Sequence, residues 1–190
     1  MIKLDVLVIG DYDRDADGNV FGAYSTSTLI RTDGMNIVVD ASTKDMWPAI
    51  KTSFRQIGIY PKDVDAVVLT HSHHDHVGNL NQFKDAEVLI HSGEERPPAS
   101  ARIVDADIEL TKGIRLVHTP GHTPGSMSVF VDADRRYAVA GDAVPKKSNY
   151  EKMAPPSINT DPAAALKSIK HIVGYADVIV PGHDAPFATR

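Results

Sequence analysis

The chain has 190 residues, 42% of them apolar and 24% charged, the profile of a globular protein with one sizeable core and no room for a second domain. Its net charge of −5 comes with no basic cluster, so a nucleic-acid partner has no electrostatic support, and the absence of cysteine excludes disulfides and thiolate ligands. No apolar run approaches the ~20 residues of a membrane span, and Asp11-Tyr12-Asp13 interrupts the start too early for a signal peptide, so the expectation is a cytoplasmic protein with no membrane partner.

Ile2 to Ile9 alternates and reads as a first strand, followed by a polar, acidic loop from Gly10 to Gly22. Within that loop Asp13, Asp15 and Asp17, then Gly18, match the start of a calcium loop, but position twelve is Tyr24 and no helices flank it. The segment is read instead as a solvated loop beside the site, with Phe21 and Tyr24 available to touch substrate. Tyr24–Arg31 and Met35–Val39 read as a hairpin around Thr32-Asp33-Gly34. Ser42 or Thr43 can cap a helix that runs to about Ile57, with Trp47, Ile50, Phe54 and Ile57 on one face and Gly58 at its end. A turn at Pro61 to Asp63 leads into a buried strand from Asp65 to Leu69, and a short helix is expected from Gly78 to Phe83. Glu87 to His91 is a strand, and Gly93 to Ser100 a loop. Hairpins are expected from Ile108–Leu110 with Ile114–His118, and from Ser126–Val131 with Tyr137–Ala140. Val144 to Asn159 reads as a long polar loop, Pro162 to Gly174 as a helix capped by Thr160 or Asp161, and Val178 to Val180 as the last strand.

The chemistry concentrates in Thr70-His71-Ser72-His73-His74-Asp75-His76, where a strand gives way to a loop. Neutral imidazole with carboxylate suits zinc, iron or manganese. Three further strand ends carry a residue able to bind metal next to glycine: Gly121-His122-Thr123-Pro124-Gly125, Gly141-Asp142, and Pro181-Gly182-His183-Asp184. Four strand ends thus converge on one site. His91, His118 and His171 read as strand-end or surface histidines, and His74 as a residue of the rim.

The order His-x-His-x-Asp-His, then His, Asp and His, resembles the pattern of the metallo-β-lactamase-fold hydrolase superfamily, and it extends over nearly the whole chain. That resemblance implies an αββα sandwich, two mixed sheets flanked by helices, in a single domain spanning residues 1–190. It also implies two divalent metal ions, zinc first, with iron or manganese as substitutes. His71, His73 and His122 would hold the first, Asp75, His76 and His183 the second, and Asp142 would bridge them. Two such cations ~3.5–4 Å apart can share a water and make it hydroxide near neutral pH. Asp75 and Asp142 are the catalytic candidates, with Asp75 able to pass a proton to the leaving group. The family places an acid such as Asp40 behind the first ligand histidine, and Thr70 is placed for similar work.

The subfamily is narrowed by what the chain lacks. It has no cysteine at the place of Asp142, and no flavin domain, helical glutathione-binding extension or RNA-binding arm is expected. Pro145 stands where acyl-homoserine lactonases carry a tyrosine, with Tyr150 the nearest alternative. Size and N-terminal layout are similar to compact single-domain members. The reading is a hydrolase of an ester, thioester or lactone, a small-molecule substrate, with a homodimer as the default assembly. The alternative is a phosphodiesterase or nuclease on the same metals, for which Lys146, Lys147 and Lys152 would supply the only basic patch.

Overall fold

A computed structural model describes residues 1–189. Strands β1 (Lys3–Val8), β4 (Ser27–Arg31), β5 (Asn36–Val39), β6 (Ala66–Val68), β7 (Glu87–His91) and β8 (Arg102–Val104) form one sheet in the order β1-β4-β5-β6-β7-β8. Strands β9 (Ile108–Thr111), β10 (Ile114–His118), β11 (Met127–Asp132), β12 (Arg136–Gly141), β13 (Val178–Pro181) and β14 (Phe187–Ala188) form the other, in the order β14-β13-β12-β11-β10-β9. Both sheets mix parallel and antiparallel pairs.

Alternation along the strands decides the layering. Ile30, Ile37, Val39, Ala66 and Val68 of the first sheet pack against Leu116, Met127, Val129, Val131, Val139 and Val180 of the second. Their neighbours Leu29, Val38 and Val67 face the opposite way, onto Ile50 and Phe54 of helix α1 (Trp47–Ile57). In the second sheet Phe130, Ala138 and Ile179 face outward, onto Ile169 and Ile172 of a C-terminal helix, Pro162–Tyr175. Helix, sheet, sheet, helix is the αββα sandwich expected from the sequence. No helix among the described residues is long and apolar enough to cross a membrane.

The local departures have physical causes. The expected polar loop from Gly10 to Gly22 is a two-stranded ribbon, β2 (Asp11–Arg14) paired with β3 (Val20–Tyr24). Its tip closes on Asp15, whose carboxylate accepts from the Asp17 and Asn19 amides and from the Asn19 side chain. Asp15 therefore serves the turn itself, which leaves the calcium reading without that ligand. The strand expected from Tyr24 breaks after it, because the Ser25 and Thr26 amides turn to the carbonyls of Asp75 and Gly182. Helix α1 starts later than expected, after a 3₁₀ turn at Lys44–Met46, and the Ser42 hydroxyl donates to the Ser25 carbonyl instead of capping it. Gly58 ends α1 at φ +79°. A short helix α2 (His74–Val77) forms inside the histidine cluster, and the helix expected over Gly78 to Phe83 is a 3₁₀ turn at Leu80–Gln82. The Val144–Asn159 loop contains helix α3 (Lys147–Lys152), and the C-terminal helix, α4, is capped by Asp161, which accepts from the Ala163 and Ala164 amides. Strands β8 and β14 had no signal strong enough to name them in so short a stretch.

Candidate metal centre

The site lies where β6, β12 and β13 end and the β10–β11 turn approaches. Beyond β6 the chain is pinned on both sides. The Leu69 amide donates to the Leu89 carbonyl, and the Met127 amide to the Thr70 carbonyl. This holds His71 at the seam between the sheets, fully buried. The single turn of α2 then brings Asp75 and His76 inward, while His74 stays on the cavity rim. Gly141, at φ +51°, turns β12 so that Asp142 enters the same space. Gly182 must lack a side chain, since a Cβ there would lie 2.0 Å from Asp142 Oδ1.

The histidines are oriented from behind. His76 Nδ1 lies 2.7 Å from Asp40 Oδ2, His122 Nδ1 lies 2.8 Å from the Ile158 carbonyl, and His183 Nδ1 lies 2.9 Å from the Tyr24 carbonyl. Each partner is an acceptor, so each Nδ1 carries a proton and each Nε2 is the nitrogen turned toward the centre, available to a cation on His76 once that ring gives up its second proton. Thr70 donates its hydroxyl hydrogen to Asp40 Oδ2, and its oxygen lies 3.1 Å from His71 Nδ1, where it can accept. Asp40 therefore supports His76 directly and reaches His71 only through Thr70, a correction to the expectation that it stands behind the first histidine. Asp40 itself adopts φ +57°, a left-handed conformation that Asp tolerates better than most residues.

The seven residues read from the sequence meet at one place. His71, His73 and His122 bring donor atoms within 4.8 Å of one another, as do Asp75, His76 and His183. His71, His76 and Asp142 form a third such group, so Asp142 joins the two. Its Oδ2 lies 3.5 Å from His122 Nε2, and its Oδ1 lies 3.5 Å from His76 Nε2 and 3.2 Å from His183 Nε2. His73, the least buried of the seven, brings Nδ1 to 3.1 Å from His122 Nε2.

The cluster is electrostatically polarised. Burial holds His71 well below the ordinary imidazole range, and it lowers His73 too. Burial also works against a charge on His76, but the Asp40 and Asp142 carboxylates outweigh it and raise that group to about 9. Burial would raise Asp142, yet the neighbouring His76 and His183 hold it well below the usual carboxylate value. Three donor atoms pointing into the cluster, His71 Nε2, His76 Nε2 and Asp142 Oδ1, are buried without a hydrogen-bond partner. Unpaired buried polar atoms are costly, and here they converge on the space a cation would fill. The residues present therefore fit divalent metal ions.

Some supporting residues had no visible signal in the sequence. Glu94 lies in the Gly93 to Ser100 stretch, which reads only as loop. It is buried, accepts from the Ser72 amide at 2.8 Å and hydroxyl at 2.6 Å, and accepts from the Thr123 hydroxyl. It ties the His71–His73 loop to the His122 loop. His91 ends β7, one of the two places read for it, but is buried there, stacked on His118 with ring centroids 4.0 Å apart. Lys146, expected at the pocket, bonds Asp11 at 2.7 Å and covers the Tyr12 ring, while Lys147 pairs with Glu151.

Beside the cluster a cavity of about 340 Å³ opens, walled by the β2–β3 ribbon through Tyr12, Arg14 and Phe21, and by Pro145, Pro156 and Ile158.

Known proteins place this arrangement. The family model described as "Metallo-beta-lactamase superfamily" matches residues 20–96 and 90–183. The probable metallo-hydrolase MJ0296 of Methanocaldococcus jannaschii is 39% identical over 148 residues, 78% of this chain and 70% of that protein. Metallo-beta-lactamase domain-containing protein 1 of Xenopus laevis is 32% identical over 192 residues, 97% of this chain and 81% of that protein. The N-acyl homoserine lactonase of Bacillus thuringiensis is 28% identical over 68% of this chain and 60% of its own length. A solved structure of a metallo-beta-lactamase candidate from Thermotoga maritima shares the fold at a TM-score of 0.82, with 21% identity and coverage of 98% of this chain and 99% of that one. With the family model covering most of its length, and with relatives above 30% identity matched over most of theirs, this chain belongs to the metallo-beta-lactamase superfamily.

Proposed function

We propose that the chain hydrolyses an ester, thioester or lactone of a small molecule with two divalent metal ions, zinc first among them, in a single domain spanning residues 1–190. As a member of its superfamily it is a metal-dependent hydrolase. The observation that carries the finer reading is the set of buried, unpartnered donor atoms on His71, His76 and Asp142, among imidazoles whose far nitrogens are already bonded. With Asp142 Oδ1 also 3.2 Å from His183 Nε2, these atoms crowd one buried space that suits a cation. His71, His73 and His122 would hold one ion and Asp75, His76 and His183 the other, with Asp142 between them. When bound, such ions acidify a water and polarise the scissile carbonyl.

The chain's own residues supply the rest. Asp40, Thr70 and the Ile158 and Tyr24 carbonyls fix the imidazole tautomers before substrate arrives. Asp75 faces both the cluster and the cavity, where its carboxylate can take a proton and return it to the departing alcohol or thiol. The lactonase relative supports an acyl centre, though this chain has Pro145 where those enzymes carry a tyrosine. The basic patch of the phosphodiester alternative is weakened, because Lys146 pairs with Asp11 and Lys147 with Glu151 at the surface, which leaves Lys152 as its remaining member.

The test joins metal content to turnover. Protein purified without chelators should approach two metals per chain and should cleave at least one of a panel of lactones, thioesters and aryl esters. Stripping the metal should abolish this, and adding it back should restore it. Saturation at one metal per chain would reduce the site to a mononuclear one. A panel in which only phosphodiesters turn over would overturn the acyl reading.

A further inference from the structure

We propose that the substrate carries a carboxylate remote from its scissile bond, and that Arg14 on the ribbon binds it. This rests on the hydrolase reading above and specifies its substrate class. Tyr12 and Arg14 of β2 both line the cavity. Arg14 is the only lysine or arginine among the described residues lining it.

The guanidinium is already held in place. Nη1 donates to the Gly18 carbonyl at 2.6 Å, Nη2 donates to the Ser157 hydroxyl at 2.6 Å, and the group lies 5.1 Å from the centre of the Tyr12 ring. An arginine fixed in this way loses less freedom when it grips a carboxylate. No carboxylate among the described residues pairs with it, although it sits in an acidic stretch. Asp11 is drawn to Lys146, and Asp15 to the amides of its own turn. The remaining guanidinium donors are thus open to a ligand.

The rest of the cavity describes the body of that ligand. Val20, Phe21, Pro156 and Ile158 line it with apolar surface, and Phe21 and Ile158 remain about half exposed without a protein partner to cover them. An apolar body with an anionic end, and a reacting carbonyl at the metal cluster, matches this layout. A polyanion matches it poorly, since the cavity lining offers one cationic side chain, Arg14, enough for a single carboxylate and too few for a run of phosphates.

The experiment compares phenyl monoesters of six- and eight-carbon dicarboxylic acids with the same esters bearing a neutral terminal amide, on metal-loaded protein. The wild type should favour the acids by about ten- to hundredfold in kcat/KM, the range for a hydrogen bond to a charged group. Arg14→Met should bring the ratio close to one, and Arg14→Lys should keep part of it. Ser157→Ala, which removes the anchor but not the charge, should keep the preference. Calorimetric binding of the free dicarboxylic acids against their monoamides should rank the same way. If neither ester turns over but the acids still outbind the amides in an Arg14-dependent manner, the acyl-hydrolase reading fails and the Arg14 site stands. Equal treatment of acid and amide by the wild type, or a preference that survives Arg14→Met, overturns the proposal. So does Arg14-dependent cleavage of single-stranded RNA in place of either ester.

Discussion

Asp40 and His76 lie 2.7 Å apart and are both sealed from solvent, and the same carboxylate also accepts from the Thr70 amide at 2.8 Å and hydroxyl at 2.7 Å. Through that hydroxyl it reaches His71 as well. One side chain therefore sets the tautomer of two imidazoles assigned here to different metals. Asp40→Asn preserves the left-handed backbone, which Asn tolerates, but replaces an all-acceptor group with one that is half donor. Metal affinity should fall by roughly 10–100-fold, the usual effect of losing such an outer partner, as measured by competition with a chelator. Affinity equal to wild type would reduce Asp40 to a turn residue.

Glu94 bridges two loops through three donors, and no cation is needed to hold it there. Glu94→Ala removes the acceptor of the Ser72 amide and hydroxyl and leaves the Thr123 hydroxyl with Ser126 alone, at a cost of about 1–3 kcal/mol for each group left unpaired that water cannot reach. The variant should unfold at lower denaturant and lose metal more readily, because both His71–His73 and His122 are loosened. Glu94→Gln keeps one acceptor and should fall between the two. Unchanged metal retention in Glu94→Ala would confine its role to stability.

The metal-free protein should show a distinctive pH dependence. His76 is raised to about 9 from an unfolded value near 6.5. Its stabilising contribution is full below pH ~6.5 and is lost as pH rises through about 9. Denaturant unfolding of chelator-treated protein should therefore show stability declining between pH 7 and 9.5. Metal binding requires neutral imidazole, so the loaded protein should lose this decline and release protons on loading at pH 7. A metal-free protein that grows more stable across that interval contradicts the pairing with Asp40 and Asp142 as its source.

Two glycines separate close approach from mere flexibility. Gly182→Ala would put a carbon 2.0 Å from Asp142 Oδ1, so Asp142 must move and bound metal should drop sharply in elemental analysis. Gly174, on α4, faces open space and has an ordinary helical conformation. Gly174→Ala should be tolerated and should stabilise by roughly 0.4–1 kcal/mol, read from denaturant melts. Equal behaviour of the two variants would remove the steric account of Gly182.

Much of the site was legible because each of its residues follows a strand whose apolar run announces itself, as Ala66–Val68 does before His71 and Arg136–Gly141 before Asp142. The sandwich was legible for the same reason, through alternation in strands such as β11. What stayed hidden depends on distant partners. Glu94 looks like any loop glutamate until Ser72 and Thr123 close on it. The β2–β3 ribbon lacks an apolar stripe, since Asp11, Asp13 and Arg14 are exposed and only the fold gives its inner face something to cover. The lysines misled because charge alone does not say which acid will claim it. Asp11, far away in sequence, claims Lys146.

The hydrogen bonds that hold the histidines at the cavity walls come from main-chain atoms: the Tyr24 carbonyl holds His183, whose ring also meets the Tyr12 ring edge-on, and the Ile158 carbonyl holds His122. A carbonyl remains in place whatever side chain its residue bears. The ribbon and the 156–158 segment can therefore change the side chains they show to a ligand, Phe21 and Ile158 included, without retuning the ligands of the metal. Such a division of labour lets the scaffold diversify its choice of substrate while the reactive centre is inherited intact.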